Sequence, residues 1–266
     1  MLFQGVLRKM STVFDQPIHY FWQLGEDRLH VNQLLGKRLE IQFIGQQCLN
    51  CGNERPIFRQ GFCRSCFFEI PSAGDWIMRP ELSTAHLDKE DRDLAYEKKV
   101  QLQPHIVYLA NSSHVKVGVT RKSQVPTRWI DQGAHQAMAI LEVPNRYLAG
   151  ITEVALKEQV SDKTSWQKML TQKEETADLQ ALYQEVKSLF PEEVKEYAVD
   201  HPEQWNLHFP VQKTPEKVKS LKLEKEQQFA GRLSGIKGQY LIFEDNRVLN
   251  VRSNEGTVIG LNIFNS

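Results

Sequence analysis

The sequence predicts an α+β protein, and three features of its 266 residues carry that expectation. Between His105 and Thr120, β-branched residues alternate with polar ones. Val115, Val117 and Val119 interleave with Lys116, Gly118 and Thr120, the period of a half-buried strand. Helical signals follow: Pro126 and Thr127 open a short helix that Gly133 closes, and ADLQALYQEVKSLF makes a longer one that stops at Pro191. Both ends of the chain alternate again as strands, in LFQGVLRKM, PIHYFWQL and KRLEIQFIG and from Phe229 onward.

The central strands read as a hairpin with a definite register. Asn111, Ser112 and Ser113 supply turn chemistry. A three-residue loop from Ser112 to His114 pairs Asn111 with Val115, Leu109 with Val117, and Tyr108 with Gly118. That register gathers the valines and Leu109 on one face and leaves Tyr108, Lys116 and Thr120 on the other. A two-residue loop mixes the faces, and one buried face specifies register strongly. Gly118 opposite Tyr108 is expected to leave open space over the ring, suited to the close approach of a ligand. The short helix then carries Arg128 and Trp129, and Glu153 is expected near the start of the next helix, after Gly150. A phenol, an ammonium, a guanidinium and a carboxylate around one site suit action on a phosphodiester, so DNA or RNA is the expected substrate. Taken singly, three of them have plainer roles: an acid in a first helical turn complements the helix dipole, a tyrosine fills a core, an arginine makes a surface ion pair. Their order and spacing together point to a site.

That combination resembles the GIY-YIG nuclease superfamily, over roughly residues 104 to 170. Ile106-Val107-Tyr108 is similar to the first motif of that family, and Lys116-Val117-Gly118, followed by Thr120, to the second. Arg128 matches the arginine of the following helix, and Glu153 the glutamate that binds one divalent metal. Lys116 departs from the pattern, since a second tyrosine usually stands there. The resemblance implies a GIY-YIG-like central domain and hydrolysis. Tyr108 would orient or deprotonate a water, with its pKa lowered by adjacent Lys116. Arg128 would clamp the phosphate, and Mg²⁺ or Mn²⁺ on Glu153 would stabilise the leaving oxygen.

All four cysteines fall in one short window as two C-x₂-C pairs, Cys48 with Cys51 and Cys63 with Cys66, separated by 11 residues. The spacing predicts a four-cysteine zinc site in a zinc-ribbon or treble-clef-like insertion. Four thiolates leave no open coordination position, so the metal is expected to be structural. Arg55, Arg59 and Arg64 interleave there with Phe58, Phe62, Phe67 and Phe68. The phenylalanines are expected mostly in a small core, and the arginines to face a nucleic acid. Arg121, Lys122 and Trp129 are the further candidates for that contact.

Lys plus Arg equals Asp plus Glu at 33 each, which excludes a bulk polycation and confines nucleic-acid binding to a local patch. No segment is long and apolar enough to span a membrane, and no signal pattern leads the chain. Cysteines committed to one metal site fit a reducing cytoplasm. The expected organisation is a terminal β domain of residues 1–45 with 229–266, built as a small β-barrel or sandwich. A zinc-binding segment at 46–70, a charged connector at 71–103, the central α/β domain at 104–200 and a linker at 201–228 complete it. The end segments look alike: Phe3, Gly5 and Leu7 parallel Phe229, Gly231 and Leu233, and Asn32 and Gly36 parallel Asn250 and Gly256. Over its whole length the chain resembles an uncharacterised bacterial family, domain of unknown function 2797. Gly5-Val-Leu-Arg-Lys-Met10, the cysteine pairs, Arg79-Pro-Glu-Leu82, HIVYLANSS and PTRWIDQGA carry that resemblance. Three functions follow in order: a metal-dependent nuclease, a zinc protein that binds DNA or RNA without cutting, and a protein-interaction adaptor.

Overall fold

Strands form where the β-branched and aromatic residues alternate, and short turns fill the charged connector. The computed structural model describes residues 2–160 and 165–264. In chain order it begins with β1 (Leu2–Val6), β2 (Ser11–Val13), β3 (His19–Leu24), β4 (Asp27–His30) and β5 (Arg38–Gln46). Then come α1 (Arg64–Glu69), α2 (Leu94–Gln101), β6 (His105–Asn111), β7 (Val115–Arg121), α3 (Thr127–Asp131), β8 (Gln136–Val143) and α4 (Arg146–Leu156). The last third holds α5 (Trp166–Thr171), α6 (Leu179–Lys187), β9 (Gln204–Asn206), β10 (Lys219–Ser220) and α7 (Leu223–Glu226). It ends with β11 (Gln228–Lys237), β12 (Tyr240–Phe243), β13 (Arg247–Asn250) and β14 (Thr257–Phe264). The chain divides into two compact units: residues 1–68, 166–173 and 208–266 in one, and residues 69–165 and 174–207 in the other.

In the first unit a seven-stranded sheet runs β1-β14-β5-β11-β12-β13-β10, beside a separate three-stranded sheet β2-β3-β4. The expected closed barrel does not form among the described residues. The large sheet stays open, because its far edge, β10, is only two residues long and lies parallel to β13. The two ends of the chain carry the same order of elements. β3, β4, a 3₁₀ turn at Val31–Leu34 and β5 correspond to β12, β13, a 3₁₀ turn at Arg252–Asn254 and β14. Tyr20 then matches Tyr240, Val31 matches Val251, and Gly36 matches Gly256. Both glycines take a left-handed φ, 79° and 86°, at the turn into the last strand, a conformation that a side chain would strain. The two ends interlock: β5 and β14 pair antiparallel with each other, β1 pairs with β14, and β11 pairs with β5.

The second unit is a four-stranded antiparallel sheet, β7-β6-β8-β9. The hairpin register is the expected one: Asn111 faces Val115, Leu109 faces Val117, and Tyr108 faces Gly118. Val107, Leu109 and Val117 pack with Ala149 and Leu156 of α4 and Tyr183 of α6 in one buried cluster. Burying such a side chain contributes about 1.5–3 kcal/mol each, which fixes the valine face inward. The opposite face therefore carries Tyr108, Lys116 and Thr120. Asn145 caps α4, its side chain accepting from the Leu148 N–H at 3.0 Å. Gly150 thus lies inside the helix, and Glu153 stands two turns in, not near its start. The connector winds through 3₁₀ turns at Pro71–Ala73, Asp75–Ile77, Pro80–Leu82 and Ala85–Leu87. Buried Glu97 then accepts from the N–H groups of Asp91, Arg92 and Asp93 at 3.0, 2.7 and 3.0 Å, fixing the approach to α2.

Candidate active site and metal centre

Tyr108, Lys116, Arg128 and Glu153 are drawn into one half-buried electrostatic cluster by the hairpin, α3 and α4. Tyr108 is fully buried, and its hydroxyl donates to Gln132 Oε1 at 3.1 Å. Burial pushes its pKa above the usual phenol value, against the opposing pull of the Arg128 guanidinium and of Gln132. The expected lowering by Lys116 is therefore reversed: desolvation of a phenolate outweighs the neighbouring cation. The space expected over Gly118 is also occupied. A Cβ there would stand 2.6 Å from both Cζ and Oη of Tyr108, so the ring lies on the glycine itself.

Burial, aided by Arg128, brings the Lys116 ammonium down to about 8, while Glu153 pulls the other way. Burial raises the Glu153 carboxyl above its ordinary range; Lys157, Arg146 and Arg128 draw it down and Glu81 pushes it up. Lys157 Nζ lies 3.8 Å from Glu153 Oε2. Glu153 sits in the last turn of α4, its carbonyl accepting from the Lys157 N–H, where the helix dipole disfavours a carboxylate and so does not explain its presence.

Two members of this cluster were not read from the sequence. Arg146, buried at the first position of α4, donates through Nε to the Trp76 carbonyl at 3.1 Å and through Nη2 to the Ile77 carbonyl at 2.8 Å. It ties the connector to α4. Glu81 is held by the same contact: a Cβ on Gly150 would meet Glu81 N at 2.3 Å and the Pro80 carbonyl carbon at 2.4 Å. Glu81 Oε2 is buried without a hydrogen-bond partner. The signals available were Gly150 within a helical stretch and the Arg79-Pro80-Glu81 turn, neither of which states its partner. With Arg128, Lys116 and Arg146 against Glu153 and Glu81, the cluster is suited to stabilising an anion in a partly dry setting.

The other candidates divide. Trp129 is buried, edge-on to Tyr108 at 5.9 Å and to Trp205 at 5.7 Å, so it packs behind the site and offers no face to a nucleic acid. Lys122 is engaged by Glu142 at 2.7 Å, and Arg121 donates through Nε to Gln124 Oε1 at 3.2 Å. Arg55, Arg59 and Arg64 belong to the first unit and are exposed.

In that unit the Sγ atoms of Cys48, Cys51, Cys63 and Cys66 all lie within 4.8 Å of one another. Tetrahedral zinc with Zn–S of about 2.3 Å needs sulfurs roughly 3.8 Å apart, so the set is suited to a structural metal such as zinc. Burial pushes the Cys48 thiol up, but N–H groups of Cys63, Cys51 and Asn50 outweigh it and bring it to about 6. At Cys66 the Asn50 amide, donating to Sγ at 3.3 Å, favours the thiolate, yet burial and the adjacent sulfurs push it up to about 11. The phenylalanines beside the cysteines form only part of the expected small core: Phe62 and Phe67 are half-buried, and Phe58 and Phe68 are exposed.

No helix among the described residues is long and apolar enough to cross a membrane. No curated protein and no solved structure matches the chain. A family model does match, over residues 36–259, which include both the cysteine set and the Tyr108–Glu153 cluster: the chain belongs to the family described as protein of unknown function (DUF2797).

Proposed function

We propose that this protein acts on nucleic-acid phosphodiesters, as a metal-dependent hydrolase of GIY-YIG type that carries a structural zinc. The observation that carries the reading is the gathering of Tyr108, Lys116, Arg128 and Glu153, far apart in sequence, around one half-buried point. Tyr108 keeps its proton and acts as a hydrogen-bond donor. Lys116, at about 8, is the group that takes the proton of the attacking water as the P–O bond to the leaving oxygen breaks. Arg128 holds the phosphate oxygens. Hard cations bind through one or two carboxylates plus substrate phosphates, so Glu153 fits Mg²⁺ or Mn²⁺ to that extent. Such an ion would supply charge stabilisation at the leaving oxygen.

The test is cleavage of supercoiled, linear and structured DNA and of RNA with Mg²⁺ or Mn²⁺. Glu153→Ala is expected to remove activity by a factor of about 100 or more. Cleavage is expected to rise with pH and level off above about 8, as Lys116 becomes neutral. Activity that survives Glu153→Ala would sink the mechanism. One observation favours a second reading, binding without cutting: the phenol is sealed from solvent and tied to Gln132. That reading predicts salt-sensitive retention of DNA or RNA in a gel-shift experiment, with no product under any metal condition.

A further inference from the structure

Three phenylalanine rings stand together on the cysteine-bearing segment, and two are open to solvent, Phe58 at 39% and Phe68 at 55% exposure. The centroids of Phe58 and Phe67 lie 5.4 Å apart, those of Phe67 and Phe68 5.4 Å, and those of Phe58 and Phe68 5.7 Å. An aromatic side chain hides about 150–250 Å² when buried, so rings left outside forfeit a large part of their stabilisation. Guanidinium groups lie over two of them: Arg59 Cζ is 5.3 Å from the Phe58 centroid, and Arg64 Cζ is 5.6 Å from that of Phe58 and 5.9 Å from that of Phe68. Arg55 is exposed on the same segment. Among the described residues no carboxylate pairs with any of the three arginines, although Glu54 and Glu69 are near in sequence. Cys63 and Cys66 bracket Arg64, and Cys66 directly precedes Phe67, so a metal on the four sulfurs would hold these side chains in place.

Flat apolar faces beside planar cations match a ligand whose own flat faces alternate with phosphates. A duplex keeps its base faces stacked inside and offers only the phosphates. An acidic peptide offers charge without the faces. We infer that Phe58 and Phe68, each met edge-on by half-buried Phe67, form with Arg59 and Arg64 a platform that binds an unpaired nucleic-acid strand by stacking bases on the two open rings and pairing phosphates with the guanidinium groups. The inference rests on the nucleic-acid reading above and adds to it the kind of strand, but it stands on the first unit alone.

The 266-residue chain, loaded with zinc, is titrated, by fluorescence anisotropy, into short oligo(dT) and oligo(U), into a duplex of equal length, and against polyglutamate as competitor. Phe58→Ala and Phe68→Ala are each expected to weaken the unpaired strands roughly 5- to 150-fold, the loss of one stacked base. Zinc content and hydrolysis of bis(p-nitrophenyl) phosphate are expected to stay as in the wild type. Should Phe68→Ala lose zinc, Phe68→Leu, which keeps the bulk without the π face, carries the test. Ring variants that bind both oligonucleotides like the wild type overturn the platform. So does a duplex that binds as tightly as the unpaired strand, or polyglutamate that competes as well as an oligonucleotide. A protein that binds through the rings but never cleaves removes only the hydrolase reading; one that cleaves with ring-independent binding removes only the platform.

Discussion

A phenol laid over Gly118 and tied to Gln132 keeps its proton, whereas the ammonium of Lys116 gives its own up at about 8. Burial does both, because it penalises whichever form is charged. The same effect governs His105, which is fully buried at the start of β6 with Nδ1–H donating to the Gln103 carbonyl at 2.7 Å. Burial holds its pKa down to about 4; Gln103 opposes this, and Arg146 and Arg121 add to it. The unfolded chain takes up a proton at about 6.5, so between that pH and 4 it binds more protons than the fold does. Stability is therefore full above about pH 6.5 and falls as pH falls toward 4. Urea unfolding of wild type and His105→Gln at pH 7 and pH 5 checks this. The wild type is expected to lose about 2 kcal/mol more than the variant over that interval. Equal losses would show that the ring titrates normally.

At the scale of elements, the hairpin was legible in the sequence because a strand period of two leaves only one register that gathers all the valines on the face packed against the core. α4 was not legible to the same degree. Asn145 caps it, which sets Gly150 inside the helix and moves Glu153 away from the first turn. A glycine within a helix ordinarily costs about 1 kcal/mol relative to alanine, so Gly150→Ala would stabilise an isolated α4. Here the added Cβ would stand 2.3 Å from Glu81 N, against backbone that cannot rotate away. The sign is expected to reverse, with a net loss of about 1–3 kcal/mol. Thermal unfolding checks it, and a raised melting temperature would show that the Pro80–Glu81 turn is not docked on the helix. Trp129 shows the converse limit. Its place in the motif suggested a base-stacking face, but an indole beside Tyr108 and Trp205 gains more from burial than from display.

For the whole molecule, both ends of the chain contribute to one sheet, in which β5 pairs with β14 and β11. The likeness between the ends was visible in a few residues. The pairing of β1 with the last strand and of β11 with β5 was not, since no local pattern names a partner so distant. Trp166–Thr171 likewise joins the first unit, stacking Trp166 on Tyr240 at 5.6 Å, although its neighbours in sequence belong to the second. The cysteine set lies in the first unit, so removing its metal is expected to act there. Purified protein is expected to carry about one zinc per chain, with thiols protected from a thiol reagent until a strong chelator is added. Circular dichroism and tryptophan emission should then report loosening of the first unit. Metal-free protein with all cysteines freely reactive and an unchanged fold would exclude a structural zinc.

The sequence by itself determined what depends on short-range chemistry: strand period, the three-residue turn, the helix stop at Gly133 and the cysteine spacing; the helix expected to run to Pro191 ends at Lys187. It also identified the four side chains that gather in the second unit. Tertiary structure alone decided how dry that place is, and hence which group holds its proton. It alone brought Arg146 and Glu81 to the cluster, left Phe58 and Phe68 outside, and interlocked the two ends in an open sheet. The reason is physical: periodicity and spacing are written within a few residues, whereas desolvation and strand partnership are set by what arrives from elsewhere in the chain.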